Sequence, residues 1–318
     1  MISFPSRSGR PKVSIGIALP QYGSIVSPET ILHVALEAEK MGLASLWVSD
    51  RMLLPTKPRD TWDGESWPDI FATVYDPIEM LTWAQTKNIK LGSSVLSGLF
   101  RNPVTLARRF ATLDRLSGGR AIAGIGQGDF RDEFLAANVP LKRRGRGFEE
   151  FVLALRAVWG PDPVSFSGMF YTIPESWIGP KPVQSGGIPL LLGAFEPKAL
   201  ERATRIADGI MPVAGRNTRI ERLGQHLNGF RDMARRAGRD PERMMAILNV
   251  HNALSDEKVS EPRPLLSGTP KQAADDLLGL GKLGIDHIFY DMNYPAAIPI
   301  DTQLRLLRNL VELSALNK

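Results

Sequence analysis

Apolar and β-branched residues gather along this chain in short runs, separated by longer stretches in which apolar positions recur every three or four residues. The short runs are VSIGIAL (13–19), SLWVSD (45–50), IKLGSSV (89–95), AIAGIG (121–126), IPLLLG (188–193), GIMPV (209–213), MAILNV (245–250) and HIFYDM (287–292), and they predict eight strands. The periodic stretches between them, among them PETILHVALEAEKMG, NPVTLARRFATLDRLSGG and TPKQAADDLLGLGKLG, predict helices. Several begin with proline just inside the start and several end in glycine. Strict alternation implies parallel strands joined by helical crossovers, and eight such repeats close most economically into a (β/α)8 TIM barrel. The expectation is one barrel domain over 13–318, with loop insertions, behind a flexible N-terminal tail at 1–12.

Two connections are too long for plain crossovers. One, 51–76, contains RDTWDGESWPDI and leaves the C-terminal end of strand two, the catalytic face of such barrels; the other, 160–187, precedes strand five. Trp62 and Trp67 in the first could cover a planar ligand or anchor the loop.

Composition narrows the chemistry. No apolar run approaches the roughly 18 residues that cross a bilayer, and the opening MISFPSRSGRPK lacks an apolar signal core, so a soluble cytoplasmic protein is expected. The absence of cysteine removes disulfides, thiol nucleophiles and thiolate metal sites. The 39 basic residues are dispersed among 34 acidic ones, which argues against a nucleic-acid partner. The one dense cluster, LKRRGRG (141–147), reads as a solvated loop first and an anion contact second. Four scattered histidines show no H-x-x-x-H spacing, so no metal site is expected, and only His251 falls at a C-terminal strand end.

Candidate site residues belong at those strand ends. GIGQGD (124–129) resembles the dinucleotide fingerprint only superficially, because Asp129 stands at the third glycine position and would repel a pyrophosphate. Its close glycines still allow a flat ligand to lie against the backbone. In GAFEPKAL a helix beginning near Pro197 offers open amides and Lys198 to a phosphate, with Glu196 competing for the same dipole end. The charged pair Asp50-Arg51 closing SLWVSD is either a structural latch or one wall of a site.

SLWVSDRMLLP, RNPVTLARRFATLDRLSGGR, GIGQGDFRDEF and PKPVQSGGIPLLLGAFEPKALERATRIADGIMP together resemble the luciferase-like monooxygenase family, from about residue 13 to 291. Within it the chain is most similar to the branch that uses the deazaflavin coenzyme F420 rather than FMN. The resemblance implies that Asp50 borders the deazaflavin ring and that Ser94-Val95 matches a bulged, non-prolyl cis peptide supporting the ring's face. It implies that Gly126, Gln127 and Gly128 contact the cofactor, and that Gly193, Ala194 and Phe195 hold its phosphate-bearing tail. It also implies a homodimer, with the helices after strands two and three as the place to seek the interface.

Where the family oxidises a sugar phosphate, a histidine after the strand-two aspartate and a glutamate after strand four handle the protons. Arg51 and Asp129 occupy those positions here. Arginine does not act as a general base, whereas its fixed guanidinium can bind an anionic substrate or stabilise negative charge on a reduced ring. Asp129 remains a proton donor or acceptor if burial raises its pKa. The expected function is F420-dependent hydride transfer between the deazaflavin C5 and a small organic substrate, with Asp129 or water supplying the proton. An FMN-dependent monooxygenase and a non-catalytic flavin-binding barrel are the alternatives.

Overall fold

A computed structural model describes residues 13–62, 64–293 and 298–316; the tail expected over 1–12 lies outside the described residues. The barrel strands are β1 (Ser14–Ala18), β2 (Ser45–Val48), β3 (Lys90–Ser93), β4 (Ala121–Gly126), β5 (Leu190–Leu192), β6 (Gly209–Ile210), β7 (Met245–Val250) and β8 (His287–Tyr290). Each pairs in parallel with the next, and β8 returns to β1 through the register Ser14↔His287. The closed ring leaves no open sheet edge and confirms the expected (β/α)8 barrel.

The helices are α1 (Pro28–Lys40), α2 (Pro77–Trp83), α3 (Pro103–Ser117), α4 (Arg131–Ala136), α5 (Arg146–Trp159), α6 (Pro197–Ile206), α7 (Ile220–Arg236), α8 (Pro270–Lys282) and α9 (Ile300–Leu316). Local sequence explains their starts. Ser27, Asp76, Asn102 and Thr269 each cap a helix whose first residue is proline, so side-chain oxygens satisfy amides the helix itself leaves open. Gly118 ends α3 in the left-handed region at φ 68°, where a Cβ is strained. α1 buries one stripe, Ile31, Val34, Ala35 and Ala38, in the same core as Ile17, Leu46 and Leu91 of the strands.

Strand alternation sorts the barrel interior into layers. At the N-terminal ends, His287 lies between the hydroxyls of Ser14 (2.8 Å) and Ser45 (2.6 Å). Above it Ala18, Trp47, Ile122, Leu191, Met211, Ile247 and Phe289 form an apolar plug, in which Trp47 stacks on Phe289 with centroids 4.6 Å apart. Gly92 makes room for that stack, since a Cβ there would stand 2.3 Å from the Trp47 ring. Two residues further along, strands β2, β3, β7 and β8 turn polar, presenting Ser49, Ser94, Asn249 and Asp291 to the C-terminal mouth.

The long segment before β5 contains an antiparallel hairpin, Val164–Ser167 with Thr172–Ser176, whose turn is pinned by the Glu150 carboxylate of α5 accepting from the amides of Met169, Phe170 and Tyr171. Arg143 lies over the rings of Phe170 and Tyr171, so this insertion is fixed along α5.

Candidate functional site

The mouth is built first by two charge latches at the end of β2. Asp50 and Arg51 do not pair with each other. Neighbouring residues of an extended strand point to opposite sides, and each finds a different partner. The Asp50 carboxylate accepts from Arg101 Nη1 (2.6 Å) and Nη2 (3.0 Å) and from the Ser97 amide (2.8 Å), which ties β2 to the loop leading into α3. This is a two-pronged, charge-assisted contact with the carboxylate side chain only 6% exposed.

Arg51 turns the other way. Its Nη1 donates to Glu133 Oε2 (3.1 Å), and its guanidinium carbon lies 4.5 Å from the ring centroid of Phe130 and 5.2–5.4 Å from those of Trp62, Trp67 and Phe71. Glu133, 2% exposed, also accepts from the Met52 amide at 2.8 Å. Burial pushes the Glu133 carboxyl above the usual carboxylate range; Arg51 and the Met52 amide oppose the rise, and the charges of Asp50 and Asp129 add to it. Trp62 and Trp67 therefore anchor the long loop around a cation. Arg59 with Asp132 and Arg131 with Asp60 fasten the same loop to α4.

Next to this wall, at the ends of β3, β4 and β5, is a glycine-lined ledge. The Ser94–Val95 peptide is cis. The Val95 side chain leans over two glycines: a Cβ at Gly126 would stand 2.7 Å from Val95 Cγ2, and one at Gly193 would stand 3.5 Å from it. Gly128 has φ 82°, and a Cβ there would meet Phe100 at 2.6 Å. Gln127 Oε1 accepts from the Gly145 amide (3.2 Å), while Arg144 donates to the Gly128 carbonyl (2.8 Å) and to Asp129 Oδ1 (3.2 Å). Half of the LKRRGRG cluster is thus structural: Arg143 and Arg144 are half-buried, and Lys142 and Arg146 are exposed.

Asp129 sits on the rim with its side chain 79% exposed, bound to Arg144. The carboxylate that meets Arg51 is Glu133, four residues further on. Gly193 hydrogen-bonds its amide to Ile125 O (3.3 Å), Ala194 is buried and Phe195 is exposed. α6 starts at Pro197 with Glu196 as its N-cap residue making no side-chain cap; Pro197 has no N–H and Ala199 donates to Glu196 O (2.8 Å), which leaves the amide of exposed Lys198 as the first-turn donor. His251, at the end of β7, is half-buried with its amide on Ala214 O.

Two site residues were not anticipated. Glu133 lies in a helix of six residues whose charged sequence, RDEFLA, gave no sign of burial. Asn249 is 5% exposed, its Nδ2 is 3.3 Å from Ser94 Oγ across the barrel, and its Oδ1 has no hydrogen-bond partner among the described residues. One signal marked it: a polar residue at an inward position of an otherwise apolar strand.

Among the described residues no group of three or more His, Asp or Glu side chains is arranged to hold a metal ion, and no helix is long and apolar enough to cross a membrane.

Comparison with known proteins places this geometry. A family model described as luciferase-like monooxygenase matches residues 12–263. The chain belongs to the luciferase-like monooxygenase family. It is 30% identical over 213 residues to the F420-dependent glucose-6-phosphate dehydrogenase of Amycolatopsis mediterranei, a match covering 66% of this chain and 59% of that one. It is 31% identical over 249 residues to an uncharacterised protein of Mycobacterium tuberculosis, covering 75% and 86%. The chain thus spans less than two thirds of the dehydrogenase's length. Among solved structures, monooxygenase RslO1 of Streptomyces bottropensis superposes with a TM-score of 0.80 at 21% identity, covering 96% of this chain and 99% of that one. An F420-dependent secondary alcohol dehydrogenase, in complex with an F420-acetone adduct, gives 0.78 at 20%, covering 95% and 99%. At that identity the two share the family's fold with this chain.

Proposed function

We propose that this luciferase-like protein is an F420-dependent oxidoreductase that moves a hydride between the deazaflavin C5 and a small, uncharged organic substrate. The observation that carries the reading is the ledge at Ser94–Val95. Glycines at 126 and 193 leave beside Val95 a backbone face that a Cβ would fill, and an amide with one unpaired end lies at its foot. A flat heterocycle with a polar edge fits that combination of open backbone and unsatisfied polar atom.

In this reading Ser94, Val95, Gly126, Gln127 and Gly128 would flank the ring, with Asp50 held beside it by Arg101. Gly193, Ala194 and Phe195, with the amide and ammonium of Lys198, would hold the phosphate-bearing tail. When bound, the deazaflavin supplies the hydride chemistry, and the protein contributes position and electrostatics. Arg51 transfers no proton; it ties the long loop to α4 through Glu133 and the rings of Trp62, Trp67, Phe71 and Phe130. Asp129 stands exposed on the rim, bound to Arg144.

Charge supports the substrate class. Arg51, Arg59, Arg101, Arg131 and Arg144 each meet a carboxylate, of Glu133, Asp132, Asp50, Asp60 and Asp129 respectively. Gripping a phosphate with Arg51 or Arg101 means breaking a buried ion pair, which supports an uncharged substrate over the relative's glucose 6-phosphate. The reading extends to a single domain over 13–318 and to a cytoplasmic homodimer through α2 and α3, where Trp83 (47%) and Leu116 (70%) are exposed.

The test is an anaerobic spectrophotometric assay. Acetone or 2-cyclohexenone should reoxidise reduced F420 in the presence of the protein, and glucose 6-phosphate should not reduce the oxidised form. Reduction of F420 by glucose 6-phosphate would overturn the substrate class, and, in a parallel aerobic measurement, protein-dependent oxygen consumption with reduced FMN alone would overturn the reaction type.

A further inference from the structure

We infer that the Asn249 amide is the polar contact for the 8-hydroxyl of bound coenzyme F420 and selects that cofactor over FMN, an assignment that rests on the reading above. The position follows from strand geometry. Ile247 belongs to the apolar plug, and Asn249, two residues on along β7, faces the same way one layer nearer the mouth. Its amide reaches across to Ser94, the residue at the foot of the ledge, and Trp47, Ile247 and Phe289, two residues earlier on β2, β7 and β8 than the polar mouth positions, belong to the apolar plug. A buried amide end without a partner is a site waiting for a complementary group.

The chemistry of that group can be narrowed. The Ser94 hydroxyl both donates and accepts, so whichever way the amide is turned one of its ends is paired with Ser94 and the other is left over. A protonated aromatic hydroxyl also does both and satisfies either end; once ionised, it accepts from the amide N–H. The pyrimidine edge of a flavin or deazaflavin carries two carbonyls and an N–H. Buried on a floor with one unpaired amide end, it would strand polar atoms of its own. The opposite edge suits the floor, and on that edge the two cofactors differ: F420 has a hydroxyl where FMN has a methyl group. FMN in this position leaves the Asn249 amide dry and unpaired.

The experiment is a fluorescence titration of F420 and of FMN into the purified full-length protein and into Asn249→Leu, an apolar replacement of nearly the same volume. Asn249→Ala serves as a second variant, and circular dichroism checks that both fold. The wild-type protein is expected to bind F420 more tightly than FMN, and each variant to lose about 5- to 150-fold in F420 affinity with FMN affinity unchanged. The long-wavelength absorption band of bound F420, which tracks ionisation of its hydroxyl, should titrate differently in the variants. Equal losses for both cofactors, or no loss, would overturn the role of Asn249 and leave F420 dependence standing. Preference of the wild-type protein for FMN, or failure to bind either cofactor, would remove the functional reading and this assignment with it.

Discussion

Replacing Arg51 by methionine tests whether the wall beside the ledge is held by a buried ion pair. Methionine keeps an apolar side chain among Trp62, Trp67, Phe71 and Phe130 but removes the cation, leaving the 2%-exposed Glu133 carboxylate with the Met52 amide as its remaining hydrogen bond among those described above. Removing one partner of a buried pair costs about 3–5 kcal/mol, most of it the penalty of an uncompensated charge. The pH dependence has a fixed sign. Burial already holds the Glu133 carboxyl above its unfolded value, and loss of Arg51 raises it further. The native variant then binds a proton that the unfolded chain releases, so its stability is highest at low pH and falls as pH rises through the elevated pKa. Urea unfolding followed by tryptophan fluorescence should therefore show a larger loss near about pH 8 than near about pH 5.5. Arg51→Met combined with Glu133→Gln, which removes the buried charge, should recover most of it. A loss below about 1 kcal/mol, equal at both pH values and not rescued by the second change, is the behaviour of an exposed pair and would refute the argument.

Three further outcomes follow from particular contacts. Burial lowers the His287 pKa to about 3, so the native state refuses a proton that the unfolded chain accepts below 6.5. Stability should therefore drop by about 1.4 kcal/mol per pH unit as pH falls through that window, and His287→Gln should flatten the slope in urea titrations. Gly126→Ala places a Cβ 2.7 Å from Val95 Cγ2 and should cost about 1–3 kcal/mol, together with cofactor affinity; combining it with Val95→Ala should restore both, read by thermal melting and F420 titration. Asp50→Asn weakens the two-pronged contact with Arg101 and should lower stability by about 1.5–3 kcal/mol with a parallel loss of F420 binding; unchanged binding would detach Asp50 from the cofactor site.

The barrel was legible because each strand and helix announces itself locally. AIAGIG and MAILNV are bounded apolar runs, and the Pro-initiated, Ser-, Asp-, Asn- or Thr-capped starts of α1, α2, α3 and α8 are written within four residues of each boundary. The glycine-rich strand ends were legible for the same reason. Charge partners were not. Arg51 and Glu133 stand 82 residues apart, and nothing in RDEFLA distinguishes a carboxylate that caps a buried guanidinium from one that faces water. Adjacency misled as well, because Asp50 and Arg51 read as one pair although strand alternation sends them to Arg101 and Glu133. The basic run at 141–147 looked solvated because sequence does not say that Arg143 and Arg144 fold back over Phe170, Tyr171 and Phe134. Asn249 could have been found by asking what an amide is doing in MAILNV.

The central claim, that the ledge at Ser94–Val95 receives a deazaflavin, is tested most directly by equilibrium binding of coenzyme F420 and of FMN to the purified full-length protein, each in oxidised and reduced form. The account predicts saturable F420 binding at micromolar concentration with FMN at least about tenfold weaker. Tighter binding of FMN than of F420, or binding of neither, would contradict it.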